Sequence, residues 1–259
     1  MRGTRVALAA GVVALPLAFG GPVHAHTGHT ETVNFTLNEL NSSGASADAT
    51  VTANEDGSLH VQISGSGFTP NSPHAQHIHG AAHSQNFFCP PASADKNGDG
   101  QVATEEGLPQ YGDVFISLTT KGDTTKKSGL AVDRMPMADA DGNLDYDRTI
   151  PADAVPDGTI ESLSHLHIVQ HGLDANGNDK YDMEALGESV FAKSLGVKGI
   201  PEEATNPATC GEVTPAGGVE TGAAGTEGVE QLPMMAFGGL AMATAAGTLL
   251  LRRRYARAS

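Results

Sequence analysis

The stretch ADATVTANEDGSLHVQIS, residues 47–64, alternates apolar and polar side chains on either side of the turn sequence NEDG. In an extended strand this alternation places Leu59, Val61 and Ile63 on one face and polar side chains on the other. Because the Asp-Gly pair is typical of tight turns between paired strands, the stretch predicts a β-hairpin with one face toward an apolar core.

The same alternation recurs along most of the chain. Six further segments are predicted strands: residues 33–40, 74–80, 113–120, 130–135, 143–150 and 165–171. No segment has the periodicity of a long amphipathic helix. Together these patterns predict an all-β fold, a sandwich or barrel of about seven or eight strands with long loops.

The N-terminus has the features of a secretory signal. Arg2 and Arg5 precede an uncharged apolar run over residues 6–19, and Val23-His24-Ala25 fits a cleavage site. We therefore expect residues 1–25 to be a signal peptide that is cleaved after Ala25. The mature chain would then fold in a compartment that allows disulfides.

A second apolar segment lies near the C-terminus. Residues 232–251 are uncharged and long enough to cross a bilayer, and the Arg-rich residues 252–259 should remain in the cytoplasm. Residues 213–231 are rich in Gly, Ala and Thr, which is typical of a flexible stalk. We therefore predict an exported domain over residues 26–212, attached to the cell surface by a stalk, a single transmembrane helix and a basic cytoplasmic tail.

The exported part of the chain is strongly acidic. All thirty Asp and Glu residues lie between Glu31 and Glu230, together with nine of the fifteen Lys and Arg residues, which gives this part a net charge of −21. Such a charge argues against binding to nucleic acid or to the surface of an anionic membrane. Such a surface attracts cations and solvent, so metal ions are the expected partners, and a merely soluble acidic face is the alternative interpretation.

Histidines recur at alternate positions in two of the predicted strands. His77 and His79 lie in one strand, so that both imidazoles project from the same face. The other strand also presents its histidines on one face: His165, His167 and His171. Because copper favours nitrogen-rich sites, we interpret His77, His79 and His171 as candidate copper ligands. The isolated histidines are interpreted as ordinary surface residues: His60, His74 and His83.

The segment DKNGDGQVATEE, residues 95–106, fits the pattern of an EF-hand calcium loop. The oxygen ligands that this pattern predicts are the side chains of Asp95, Asn97 and Asp99, the backbone carbonyl of Gln101 and the bidentate carboxylate of Glu106. The alternative interpretation is a solvated acidic turn.

The sequences that flank this loop, FFCPPASA and GLPQYG, are not helical in pattern, so we expect a solitary calcium loop without a helix pair. Residues 174–182 form a weaker relative of the loop. In that segment Asp179 occupies the position of the turn glycine.

Four segments resemble two known families. QHIHG at residues 76–80, followed by Cys89, resembles a copper-binding strand and loop cysteine of copper/zinc superoxide dismutases, and HIHGAA resembles the chordin-type (CHRD) domain. Residues 168–182 resemble the dismutase strand with its last copper histidine, and residues 209–213 resemble its closing cysteine segment. The resemblance implies a Greek-key β-sandwich. It also implies copper ligation by His77, His79 and His171 and a disulfide between Cys89 and Cys210.

The chain also departs from the dismutase pattern. No histidine occurs from residue 84 to residue 164, so the zinc-binding loop has no counterpart and zinc is not expected. The residues before Cys210 include no arginine that would attract an anionic substrate. A copper site without zinc would take its fourth ligand from His167 or His83, and we expect superoxide turnover to be weak or absent.

Two functional hypotheses follow. The first is a membrane-anchored extracellular dismutase-like domain that binds copper and either dismutates superoxide or sequesters the metal. The second is a non-enzymatic CHRD-type module, stabilised by calcium and a disulfide, that binds a protein partner at the cell surface. No residue is assigned a catalytic role on the sequence alone.

Overall fold

The computed structural model describes residues 30–81 and 87–214. The predicted signal peptide, most of the stalk, the transmembrane helix and the basic tail lie outside the described residues, and so does His83. In the part of the chain that is described, no helix has the length and apolar character needed to cross a membrane.

Eight antiparallel strands form one curled sheet, which confirms the predicted all-β fold. The strands are β1 Glu31–Glu39, β2 Ser46–Ala53, β3 Leu59–Ser66, β4 Gln76–Gly80, β5 Asp113–Ser117, β6 Leu144–Ile150, β7 His167–His171 and β8 Pro207–Thr214. Their order in the sheet is β5-β4-β7-β8-β1-β2-β3-β6. The connections from β3 to β4 and from β6 to β7 cross between the two halves of the sheet, as in Greek-key folds.

The predicted hairpin is formed by β2 and β3, with Val51 opposite Val61. Apolar side chains from both halves of the sheet meet in a single core, which includes Leu37, Val51 and Ile168. The edge strands β5 and β6 are not paired with each other. Side chains link them instead, because the Tyr146 hydroxyl donates a hydrogen bond to the carbonyl of Thr119, just after β5, at 3.1 Å.

Helices are few and short in the described residues. They are α1 Thr104–Tyr111, α2 Val190–Ser194 and α3 Glu202–Thr205. Five single 3₁₀ segments lie in the loops: Ala92–Ala94, Lys126–Ser128, Val132–Arg134, Ala152–Ala154 and Ile160–His165. Long loops between β4 and β5, β5 and β6, β6 and β7, and β7 and β8 carry these helices and 3₁₀ segments.

Two local predictions were wrong. Residues 130–135 do not form a strand; they contain a 3₁₀ turn, and Val132 is exposed rather than packed in the core. The GLPQYG flank of the acidic loop lies largely within helix α1, although this helix contains Pro109. Pro109 lies beyond the first turn, so the helix lacks the one backbone hydrogen bond that an N–H at this position would donate to the carbonyl of Glu105, and the helix ends two residues later.

Candidate metal centre

Three histidines meet on the outer face of β4 and β7. Among the described residues, His77, His79 and His171 are the one group of His, Cys, Asp or Glu side chains whose ligand atoms are close enough to hold a metal ion, within 4.8 Å of one another. Because β4 pairs with β7 and Ile78 and Ile168 both point into the core, their odd-numbered neighbours point outward.

Irregular pairing accompanies two of these histidines. The register between β4 and β5 shifts between Ile78 and His79, and the register between β7 and β8 shifts between Gln170 and His171. Bulges of this kind bend a strand locally and change the direction of a side chain. The two register shifts therefore occur at His79 and His171, where each strand directs its histidine toward the other ligand nitrogens.

Each ring is oriented by a hydrogen bond to a backbone carbonyl. His77 Nε2 donates to the Gly129 carbonyl at 3.0 Å, His79 Nδ1 donates to the Gly112 carbonyl at 2.9 Å, and His171 Nδ1 donates to the Thr205 carbonyl at 2.7 Å. The remaining ring nitrogens are buried without a hydrogen-bond partner in the described structure: His77 Nδ1, His79 Nε2 and His171 Nε2. A metal-binding imidazole typically donates through one nitrogen and coordinates through the other, so this arrangement fits a metal site.

Burial keeps these imidazoles neutral. His79 is 1% exposed, and His77 and His171 are each 4% exposed. Desolvation lowers the pKa of His79 to about 3 and that of His171 to about 4, and it holds the pKa of His77 well below its ordinary value. A positive charge on a neighbouring ring lowers the pKa of His77 and His79 further. All three lone pairs are therefore available to a cation at neutral pH.

Helix α1 supports two of the three rings. The Thr104 hydroxyl donates to the Thr205 carbonyl, the same oxygen that accepts from His171, and lies 3.3 Å from His171 Nδ1. Tyr111 is fully buried, packs edge-on against the His79 ring with centroids 4.7 Å apart, and donates to the Thr104 carbonyl at 3.0 Å. Thr104 and Tyr111 therefore connect the environments of His79 and His171.

The other predicted histidines lie elsewhere. His167 is buried on β7, 3.8 Å from the Glu212 carboxylate, and does not belong to the three-histidine group. His165 is exposed at the end of a 3₁₀ segment. The interpretation of His74 as a surface residue was wrong: it is fully buried, and its ring nitrogens lie 3.0 and 3.1 Å from the carbonyls of His171 and Thr69.

The predicted disulfide is confirmed. Cys89 and Cys210 are joined, with Cα atoms 5.8 Å apart, and the bond connects the segment after β4 to strand β8. Cys210 packs with Tyr111 and Val169 in a small apolar cluster on the outer face of the sheet. The disulfide therefore anchors the segment whose helix α1 contacts the histidines.

The acidic loop, residues 95–106, is folded around its own carboxylates. The Asp95 carboxylate accepts hydrogen bonds from the N–H groups of Gly98 and Gly100, at 2.7 and 3.0 Å. The Glu106 carboxylate reaches back to the N–H groups of Lys96 and Ala103, at 2.8 and 3.0 Å. Asn97, Asp99 and Gln101 lie between these two anchors. The carboxylates of the first and last loop positions thus both turn toward the loop backbone, and Asp95, Asp99 and Glu106 do not form a group as close as that of the three histidines.

The sequence did not point to the groups that orient the triad. No sequence pattern for metal binding includes these groups. They are the backbone carbonyls of Gly112, Gly129 and Thr205 and the hydroxyls of Thr104 and Tyr111. Comparison with protein-family models and with curated proteins finds no match for the chain. The geometry of the three histidines is therefore the observation on which a functional assignment rests.

Proposed function

We propose that the domain binds one copper ion through His77 Nδ1, His79 Nε2 and His171 Nε2. The observation that carries this proposal is that three buried, neutral imidazoles direct unpartnered nitrogens at one another while their other nitrogens are held by backbone carbonyls. Leaving three buried polar atoms unpaired is unfavourable unless a ligand satisfies them. A cation would satisfy all three at once.

The donor set supports copper over calcium and magnesium. All three ligand atoms are imidazole nitrogens, which suit copper, whereas calcium and magnesium prefer oxygen. Structural zinc usually takes four ligands, and no carboxylate or thiolate joins this group in the described residues. The resemblance to dismutases supports the same ion, since strands β4 and β7 supply the histidines and the disulfide joins the two cysteines that it implies.

We further propose that copper retention, rather than efficient superoxide turnover, is the role of the site. Bound copper would supply a one-electron redox couple. The described residues that line the small cavity beside the histidines include no Lys or Arg, and the larger groove that His77 also lines carries Lys126 and Lys127 against Glu105, Asp113 and Asp123. Because the exported segment is strongly acidic, the field around the domain repels an anionic substrate. In this proposal, residues 232–251 hold the copper-binding domain at the cell surface.

A second cation is proposed for the acidic loop. Calcium would be held by Asp95, Asn97, Asp99, the Gln101 carbonyl and Glu106. Support comes from the EF-hand pattern of the sequence and from the turn of the Asp95 and Glu106 carboxylates toward the loop backbone, where each accepts hydrogen bonds, although the loop carboxylates do not lie as close to one another as the three histidine nitrogens do. Because the loop leads directly into helix α1, calcium here would have a structural role close to the histidines.

Copper loading of the full chain in detergent tests the main proposal. We expect one copper per chain by metal analysis, and an electron paramagnetic resonance spectrum of copper(II) with nitrogen ligands. The His77→Ala, His79→Ala variant should lose the metal, whereas a His60→Ala, His165→Ala control should bind it normally, because both control histidines lie outside the triad.

Unchanged copper binding in the His77→Ala, His79→Ala variant would contradict the assignment and favour the alternative of a non-enzymatic CHRD-type interaction module. A superoxide-consumption assay on the copper-loaded sample then separates retention from catalysis. Rapid turnover that depends on His77 and His79 would show that the site is a dismutase centre.

A further inference from the structure

A small cavity adjoins the three ligand nitrogens. Its volume is 20 Å³, which is about the space of one water-sized ligand. His77, His79 and His171 form one side of the cavity, and short side chains such as Ala75 and Ala204 form part of the rest. A metal ion at the triad would therefore face room for one additional small ligand.

The cavity lining carries no charge. None of the described residues that line it is Asp, Glu, Lys or Arg. Its two hydroxyl groups are already engaged, since Thr104 donates to the Thr205 carbonyl and Thr205 Oγ1 donates to the Glu202 carbonyl. Apart from the imidazole nitrogens, the cavity therefore has little to offer a charged or strongly hydrogen-bonding ligand.

An apolar layer of side chains borders this cavity on the side of a larger surface groove. Leu108, Val114, Leu130 and Phe191 line both the small cavity and a much larger open groove of 1220 Å³ on the surface. These four side chains come from three separate segments: helix α1, strand β5 with the loop after it, and helix α2. His77 lines both spaces as well, so a molecule that reaches the metal from the groove passes between these four side chains and the neutral His77 ring.

From this arrangement we infer that the open position of the metal takes small uncharged ligands, of about one or two non-hydrogen atoms, and excludes anions and organic molecules. Dioxygen and nitric oxide belong to the accepted class, whereas superoxide belongs to the excluded class. Lys126 and Lys127 line the outer groove beside Glu105, Asp113 and Asp123, but none of the described residues of the apolar layer or of the small cavity is charged. An anion would therefore have to leave water to cross the apolar layer, with no cation inside it to compensate for the lost hydration. This inference rests on the proposed copper site.

Two probes distinguish the ligand classes. Carbon monoxide, a neutral diatomic molecule, is added to the copper(I) form of the full chain and followed by its infrared stretch. Azide, a small anion, is added to the copper(II) form and followed by its charge-transfer absorption. We expect carbon monoxide to bind the wild-type chain and azide to bind it weakly.

Removal of the apolar layer should admit the anion. We expect Phe191→Ala, and separately Leu130→Ala, to strengthen azide binding at least tenfold while carbon monoxide binding persists. Leu195→Ala is the matched control, because Leu195 lines the outer groove but not the small cavity and is 56% exposed. The control should behave like the wild-type chain.

Equal azide affinity in the wild-type chain and both layer variants would overturn the inference, and so would the failure of carbon monoxide to bind copper(I) at the triad. Copper content is measured before either probe is added. A wild-type chain that retains no copper would overturn the proposed function itself, and that outcome is therefore separate from a failure of the ligand inference.

Discussion

The two halves of the sheet use alternating sequences in different ways. In the half formed by β1, β2, β3 and β6, outward polar side chains are solvated and pair across strands, as Gln62 does with Asp147 at 2.9 Å. In the half that contains β4 and β7, every residue of these two strands is buried, because loop segments cover the outer face. The same alternation therefore yields a solvated surface in one half and an enclosed polar layer in the other.

His60 and His77 illustrate what this difference teaches. Both project outward from strands, but His60 lies near the surface of the uncovered half and contacts Asp147 at 2.9 Å. His77 is covered by loops and keeps one nitrogen without a partner. An outward imidazole is thus an ordinary surface group where the strand is uncovered, and a candidate ligand where the strand is covered.

Breaking the disulfide should lower the stability of the domain most, because this bond anchors the segment after β4, which covers the outer face of β4 and β7. The Cys89→Ser, Cys210→Ser variant is expected to lower the free energy of unfolding by about 4 to 5 kcal/mol, the value that the chain-entropy model gives for a loop of about 100 residues. The bond spans 121 positions in this chain. Urea unfolding of the metal-free chains measures the change, and a loss under about 1 kcal/mol would contradict the anchoring role.

Acid should weaken the covered half more than the uncovered one. The folded-state pKa values of His79 and His171, about 3 and about 4, lie below the unfolded value near 6.5, so the stabilisation is present above pH 6.5 and is lost as the pH falls toward the folded values. For the metal-free chain we expect about 3 kcal/mol less stability at pH 5.5 than at pH 7.5, measured by urea unfolding.

A variant with Gln at positions 77, 79 and 171 should lose most of this pH dependence, whereas His60→Ala should retain it. If the triple variant kept the same slope with pH, the acid sensitivity would originate outside the three histidines.

Calcium should stabilise the covered half through the loop that precedes α1. At a calcium concentration 100 times the dissociation constant, one site adds about 2.7 kcal/mol to the free energy of unfolding. Glu106→Gln should remove most of this difference between calcium and chelator, measured by thermal melting. Glu105→Gln is the control, since no hydrogen bond to the loop backbone involves Glu105 in the described structure. Identical melting curves with calcium and chelator would contradict the site.

The smallest effect is expected at Thr104. Thr104→Val removes the hydroxyl that shares the Thr205 carbonyl with His171, and we expect about tenfold weaker copper binding, at the low end for residues that orient a metal ligand. Thr104→Ser should restore the affinity. Thr36→Val is the comparison in the uncovered half, where the Thr36 hydroxyl donates to Asp48, and it should leave copper affinity unchanged.

Sequence patterns predicted the uncovered half well, because each of its strands faces solvent on one side and so alternates visibly. The covered half was predicted less completely. Strand β8 was not identified as a strand, because it begins at Pro207 and its buried run, PATCG, has small residues and no alternation. His77, His79 and His171 were identified because imidazoles at alternate positions remain visible whether or not the strand is covered.

The features that escaped prediction depend on contacts between distant segments. His74 is buried because Phe68 and Tyr181 pack around it, and Tyr181 lies 107 positions away along the chain. The hydrogen bonds to Gly112, Gly129 and Thr205 use backbone carbonyls, which every residue possesses and which therefore leave no trace in the sequence. Helix α1 was missed because Gly107 and Pro109 both disfavour a helix.

The contacts of the three histidines also make the site depend on the full length of the domain. His77 and His79 come early in the sequence, but the carbonyl that orients His171 belongs to Thr205, and the cysteine that anchors the segment over the histidines is bonded to residue 210. A chain that ends between His171 and Thr205 has all three imidazoles but lacks the carbonyl that orients the third. Because domains generally fold as units, the three histidines gain their full geometry only when the whole domain is present. Incomplete or truncated chains would compete poorly for the metal, which would pass to finished molecules.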